Sequence, residues 1–420
     1  MRAGSPPAPR LVGLDTGLGL QAPHRPADAR RFPASLVAWG MLAVALDIGI
    51  ARITYGTALP AIRRDLGLSY TASGLLGAAN LAAYLVGTLL APYVAGPADM
   101  RKLASYGHLA FAAGALASAA AADAIILCCG RVLMGLGAGF GLVGVFMLVF
   151  AETQPRHRSL ASVAIWSGTG FAIVASALAV PWLLPEPEIW RVAFLLAGAL
   201  GAAAAIRFGL TPRPKAAPAG SSEEASSSAK PEAFAALFGA YLLFGSAYIA
   251  YATFVGADLA ARDASLAVVA WTWLSLGAGS LLGSAGGALL ARFRVTGLSL
   301  ALVLFSGALG AFCTGTGGVA GSLLGAALVG LGLSFAPAVV TALVRERTSE
   351  AAYPRLFSFA TGALGVGLFI GPAIAGWLAD ALGSASVTAF AAACYLGGTV
   401  LALLDAASSR RDVRPAPGPT

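Results

Sequence analysis

The stretch Ala51-Arg-Ile-Thr-Tyr-Gly-Thr57 returns 196 residues later as Ala247-Tyr-Ile-Ala-Tyr-Ala-Thr253. Three further pairs keep nearly the same offset. Gly87-Thr-Leu-Leu-Ala91 is answered by Gly287-Ala-Leu-Leu-Ala291, Gly135-Leu-Gly-Ala-Gly-Phe140 by Gly330-Leu-Gly-Leu-Ser-Phe335, and Gly168-Thr-Gly170 by Gly365-Val-Gly367. Four matches in one order mark an internal duplication, which has to be read before any single element is assigned.

The first of these stretches lies inside an apolar run, Ser35–Leu59, long enough to cross a bilayer. About 20 apolar residues suffice for a helix to do so. Eleven more runs follow: Thr71–Val94, Lys102–Ala122, Ala124–Phe150, Ser159–Leu184, Trp190–Leu210, Ala233–Ala257, Leu266–Ala291, Val295–Thr316, Gly318–Val344, Leu356–Ala379 and Ala385–Leu404. Hydrophobic residues make up 58% of the chain and charged residues only 11%, whereas a soluble domain is nearer 25% charged. Lipid offers no partner to an open backbone, so runs of this length predict helices. The expected fold is all-α and polytopic, with twelve transmembrane helices in two parallel six-helix repeats. The 53 glycines suit close helix contact, which does the work of the hydrophobic effect inside a membrane.

The hydrophilic stretch at 211–232 divides the runs six and six. The expected organisation is a disordered cytoplasmic arm over 1–34, bundles over 35–210 and 233–404, the linker between them, and a cytoplasmic tail over 405–420. Leu11–Leu20 is short and carries Asp15, which makes it a poor signal-peptide core. The net charge of +8 is topological. Of 27 basic residues, Arg63, Arg64, Arg191 and Arg262 fall on one side and Arg52 and Arg131 within spans; all the rest lie on the side of the termini. The positive-inside rule then places both termini in the cytoplasm, and nucleic acid is not an expected partner. Cys128, Cys129, Cys313 and Cys394 all fall within spans and show no disulfide or metal spacing.

Six spans followed by six in the same orientation is the plan of the major facilitator superfamily, and local motifs resemble that superfamily too. Gly96-Pro-Ala-Asp99-Met-Arg101-Lys102 looks like a shortened form of its loop signature, and Arg131-x-x-x-Gly135-x-Gly137 resembles its fourth-span motif. Gly49-x-x-Arg52-x-x-Tyr55-x-x-x-Leu59-Pro60 and Asn80-x-x-x-Tyr84-x-x-Gly87 resemble the YbfB/YjiJ group. The resemblance implies that spans one, four, seven and ten line a central cavity. It also implies a role for Asp99 at the start of span eleven when the inner side closes.

A charge within the membrane costs about 2.5–3.5 kcal/mol near a helix centre, so each such residue is expected to face protein or water. On an α-helix, Ala51, Tyr55 and Arg52 fall about 40°, 80° and 140° from Asp47. Asp47, Arg52, Tyr55, Asn80, Tyr84, Arg131, Tyr248 and Tyr251 are the candidate cavity residues, with Asp47 the candidate proton carrier. The same charges also fit a structural ion pair of Asp47 with an arginine, and Arg131 fits a brace within the first half. His108 reads as a peripheral helix residue.

Asp99, Arg101, Lys102, Glu152, Arg156 and Arg158 form a candidate cytoplasmic gate, or else a plain basic loop. Gly135, Gly137, Gly330, Gly332, Gly365 and Gly367 are candidate packing and gating glycines. No phosphate loop or metal-ligand spacing occurs, which argues against an enzyme and against a cofactor.

The expected function is secondary transport of a small solute by alternating access in a bacterial inner membrane. The coupling ion is expected to be a proton, the cargo an organic anion or zwitterion, and the protein a monomer. Drug efflux by the same fold is the first alternative, although span five lacks a Gly-Pro ending. A membrane sensor or scaffold that does not transport is an alternative of another class.

Overall fold

The computed structural model describes residues 32–94, 100–154, 157–183, 185–186, 188–212, 234–290, 297–348 and 353–411. Residues 1–31 of the disordered arm expected over 1–34, and nearly all of the expected linker, lie outside them. So do the last residues of the tail, 412–420.

Twelve helices are found among the described residues: α1 Ala34–Leu66, α2 Tyr70–Val94, α3 Met100–Ala119, α4 Ala124–Glu152, α5 Arg158–Leu183 and α6 Trp190–Gly209 in the first half. The second half has α7 Ala235–Ala261, α8 Leu266–Leu290, α9 Gly297–Thr316, α10 Gly318–Glu346, α11 Tyr353–Leu382 and α12 Ser386–Arg411. Local signals end several of them. Gly67 takes the left-handed conformation (φ 62°) that closes α1, and the carboxylate of Asp123 accepts hydrogen bonds from the N–H groups of Ile125 and Ile126 to open α4.

Eleven of the twelve are long and apolar enough to span a bilayer; α3 falls short, because Arg101, Lys102 and His108 interrupt its apolar surface. Large apolar side chains cover the outside of the bundle, among them Leu75, Leu89, Leu282 and Leu302, as expected of a surface that meets lipid.

The packing repeats as the sequence does. In the first half α1 packs on α5, α4 on α2 and α3, and α3 on α6. In the second half α7 packs on α11, α10 on α8 and α9, and α9 on α12. One corresponding pair of glycines makes corresponding contacts. A methyl group on Gly135 would lie 2.2 Å from the Asn80 carbonyl oxygen of α2; one on Gly330 would lie 2.1 Å from the Leu276 carbonyl oxygen of α8. Gly137 and Gly367 are equally tight against backbone, at 2.4 Å from Phe111 N and 2.0 Å from Leu242 O. Gly365 faces the side chain of Leu85, and Gly332 has room, its nearest neighbour lying 3.7 Å away.

The halves meet where α2 packs on α11, α5 on α8 and α1 on α7. The α1–α7 contact is concentrated in Tyr55–Leu66, at the end of the molecule opposite the termini. There a methyl on Gly56 would come 2.1 Å from the Ala252 carbonyl oxygen, and one on Gly74 2.2 Å from that of Pro372. The molecule is therefore shut by backbone-to-backbone contact on this far side.

One expectation of local geometry is corrected. Ala45–Thr54, in the middle of α1, is π-helical. In a π-helix the hydrogen bonds run from i to i+5, so residues five apart sit almost above one another, as residues four apart do in an α-helix. Asp47 and Arg52 are five apart. The 140° between them expected of an α-helix does not hold.

Candidate functional site

Two arginines share one small cleft between the halves. Arg52 of α1 and Arg131 of α4 line one small cleft with Tyr55, Gly77, Asn80 and Leu81 from the first half and Ile249 and Thr253 of α7 from the second. Its volume is about 10 Å³, room for about one water. Among the described residues no carboxylate lines it.

Arg131 is held firmly. It is 1% exposed, its Nε donates to the Leu76 carbonyl oxygen (3.1 Å), and its guanidinium carbon lies 3.7 Å from the centre of the Tyr55 ring. Tyr55 is fixed in turn by its hydroxyl, which donates to Ser73 O (2.8 Å), and Asn80 Nδ2 donates to the Arg131 carbonyl oxygen (2.7 Å). Arg131 Nη1 is left buried without a partner. The brace and the cavity role expected of Arg131 thus coexist in one side chain.

Arg52 stacks over Tyr84 at 4.2 Å, and Tyr248 of α7 lies within its electrostatic reach. Its Nε and Nη2 are buried and unpartnered. Three guanidinium nitrogens, Arg52 Nε and Nη2 and Arg131 Nη1, therefore lack an acceptor around this cleft. Unmade hydrogen bonds of buried charged groups are costly, and such a site calls for an acceptor from outside.

Two candidates stand elsewhere. Tyr251 does not reach the cleft; its hydroxyl pairs with Thr314 Oγ1 of α9 at 2.9 Å, inside the second bundle. Asp47 does not face the cleft either and forms no ion pair with Arg52. It turns into the first bundle, where Oδ2 lies 3.6 Å from His108 Nε2 of α3, both side chains fully buried. The peripheral reading of His108 is corrected with it.

Of the candidate gate, Asp99 and Arg156 lie outside the described residues. Arg101 donates to Thr211 O beyond α6 (3.3 Å), and Arg158 donates to Phe150 O at the end of α4 (3.2 Å), so both act within the first bundle. Lys102 and Glu152 are also engaged. A contact that the sequence reading missed lies at the opposite end. Asp380 of α11 accepts hydrogen bonds from the first backbone N–H groups of α2, Tyr70 (2.9 Å) and Thr71 (2.7 Å). A carboxylate from one half thus caps a helix of the other, where the helix dipole favours it. Ser69 and Tyr70 at the start of a helical run hinted at a cap; nothing local pointed to a partner in the other half of the chain.

Two repeated six-helix bundles enclosing a charged midline cleft define a transporter of the major facilitator superfamily. The chain belongs to the family described as "Uncharacterised MFS-type transporter YbfB", whose model matches residues 42–405. Solved structures of similar fold include a bacterial homolog of the human lysosomal transporter Spinster, in an inward-facing and occupied conformation. It has a TM-score of 0.68 at 16% identity, over 93% of this chain and 100% of that one. A D-xylose–proton symporter gives 0.71 at 14%, over 88% and 97% of the two chains. A point mutant of the nucleoside transporter NupG gives 0.65 at 12%, over 89% and 99%. None of the curated proteins matches the chain in sequence.

Proposed function

We propose that this transporter moves a small organic anion or zwitterion across a bacterial inner membrane by alternating access, driven by protons, as a monomer with both termini in the cytoplasm. The observation that carries the reading is the pair of arginines with unpartnered N–H groups around a cleft that no carboxylate lines among the described residues. A carboxylate cargo supplies both the missing charge and the missing acceptors, and it suits the fork of a guanidinium. At about 10 Å³ the cleft is too small for such a cargo, so the halves must move apart to admit it. A single proton crossing about 100 mV yields roughly 2.3 kcal/mol, near fifty-fold in concentration ratio. No cofactor is needed for such a cycle.

The test is a thermal-stability screen of the purified protein with acetate, succinate, benzoate, glutamate and the lipophilic cation tetraphenylphosphonium. Ligands of the folded state raise its melting temperature. A carboxylate should do so in the parent and not in Arg52→Gln. Stabilisation by tetraphenylphosphonium alone, undiminished in both Arg52→Gln and Arg131→Gln, would move the protein to drug efflux.

A further inference from the structure

Asp47 and His108 come from different helices, α1 and α3, and face each other in a compartment closed to water. Both Asp47 oxygens and His108 Nε2 are buried and without hydrogen-bond partners. The other imidazole nitrogen settles the tautomer. His108 Nδ1 lies 2.8 Å from the Ala104 carbonyl oxygen, which can only accept, so Nδ1 carries hydrogen. In a neutral imidazole Nε2 then holds a lone pair, and that lone pair points at a carboxylate.

Such an arrangement is repulsive and leaves the buried carboxylate without a hydrogen-bond donor. One proton resolves it, as a carboxylic acid donating to Nε2 or as an imidazolium beside a carboxylate. In either form one proton from solvent takes the pair from a charge of −1 to 0.

The seat is built for the ring. A methyl group on Gly141 of α4 would lie 2.8 Å from His108 Cε1 and 2.9 Å from Nδ1, and Phe208 of α6 lies against the imidazole at 5.2 Å. Other charges around it are occupied or turned away. Arg52, on the same π-helical stretch as Asp47, acts on the carboxylate through space. Arg131 of α4 is committed to Leu76 and Tyr55, and Arg207 of α6 to Thr211. Arg158, at the start of α5, is held by Phe150 O. Tyr106 of α3 is exposed on the outside of the bundle, and Cys128 of α4 lies near Tyr55 and Arg131.

We infer that Asp47 and His108 together form a single proton-binding site, with His108 a positioning residue for the proton that Asp47 carries. The inference rests on the proton-driven reading above and adds a consequence to it. A neutral pair leaves the charge of Arg52 unbalanced, so loading the proton favours an anion in the cleft, and the two bind together. Binding linkage makes this reciprocal.

The test needs no cargo. Histidine labelled with nitrogen-15 and aspartate labelled with carbon-13 at the carboxyl are followed by magnetic resonance through a pH titration of the full chain in lipid nanodiscs. His108 and Asp47 are assigned by their loss in His108→Gln and Asp47→Asn. The expected result is that both resonances move in one common step. Each substitution should displace the midpoint of the remaining partner by about one pH unit or more, tenfold in proton affinity.

Independent midpoints in the parent, or a partner unmoved by both substitutions, would overturn the inference. The parent measurement decides even where a variant fails to fold. A common step in a protein that no carboxylate stabilises would uphold the pair and remove the anion reading. Stabilisation by a carboxylate with independent midpoints would do the reverse.

Discussion

At the scale of the residue, the site divides its labour between two arginines that differ in freedom. Arg131 is stacked, hydrogen-bonded and 1% exposed, so its removal leaves Leu76 O and the Tyr55 face without their partner. Arg131→Gln should lower the melting temperature as well as any carboxylate affinity. Arg52→Gln should cost affinity with a smaller loss of stability; truncating one partner of a buried charged pair costs about 2–5 kcal/mol of binding. Equal melting temperatures in the two variants would contradict this division.

Asp47→Asn should leave exchange of cargo but abolish its accumulation by a proton gradient, because an amide cannot carry a proton. Accumulation with unchanged pH dependence in Asp47→Asn would remove Asp47 from coupling. Gly141→Ala is the sharper probe of the histidine seat. Its methyl would collide with the imidazole, so the pH profile of transport should shift although no titrating group is altered.

At the scale of the element, the twelve spans were legible in the sequence to within a few residues at most boundaries, because hydropathy over about 20 residues is a strong signal. Two features were not. The π-helical stretch Ala45–Thr54 contains no proline, and its wider turn leaves no compositional trace. It changes the angle between Asp47 and Arg52 from the one an α-helix would give. The Asp380 cap on α2 was hidden because its partners lie in different halves of the chain.

That cap holds the far side shut. Asp380→Asn should weaken it by about 1 kcal/mol, roughly fivefold in the population of the open far side. With the four native cysteines replaced, a cysteine at Ala257 should then react faster with a membrane-impermeant maleimide; an unchanged rate would show that α1 and α7 close without the cap. The glycines separate likewise. Gly330→Ala drives a methyl into the Leu276 carbonyl and should cost about 1–3 kcal/mol, whereas Gly332→Ala meets nothing closer than 3.7 Å and should be within about 0.5 kcal/mol of the parent.

At the scale of the whole molecule, duplication explains why the fold was more readable than the cleft, of which the sequence named Arg52, Tyr55, Asn80 and Arg131. The repeated pair Gly135 and Gly330 marks a repeated contact, and it survives as sequence. Charge does not repeat. Arg52 and Arg131 have Tyr248 and Ala326 at the equivalent offsets of 196 and 195 residues, so the halves differ in charge at the cleft. Reporter fusions at Gly220 and after Arg414 should give a cytoplasmic signal and fusions within 184–188 a periplasmic one; the opposite pattern would invert the transporter.

The polarity of α3 bears on how the chain enters the membrane during synthesis. This helix carries His108 and two basic residues near its start, and it is the one of the twelve that is too polar to qualify as a span by itself. Its stable environment is supplied by α4 and α6, which are translated later. A nascent chain ending at Ala119 should therefore leave α3 outside the lipid, and one extended through Glu152 should draw it in as a hairpin with α4. Glycosylation mapping of the two lengths distinguishes the cases. The proton site would then be assembled only after its histidine has waited at the translocon for a partner.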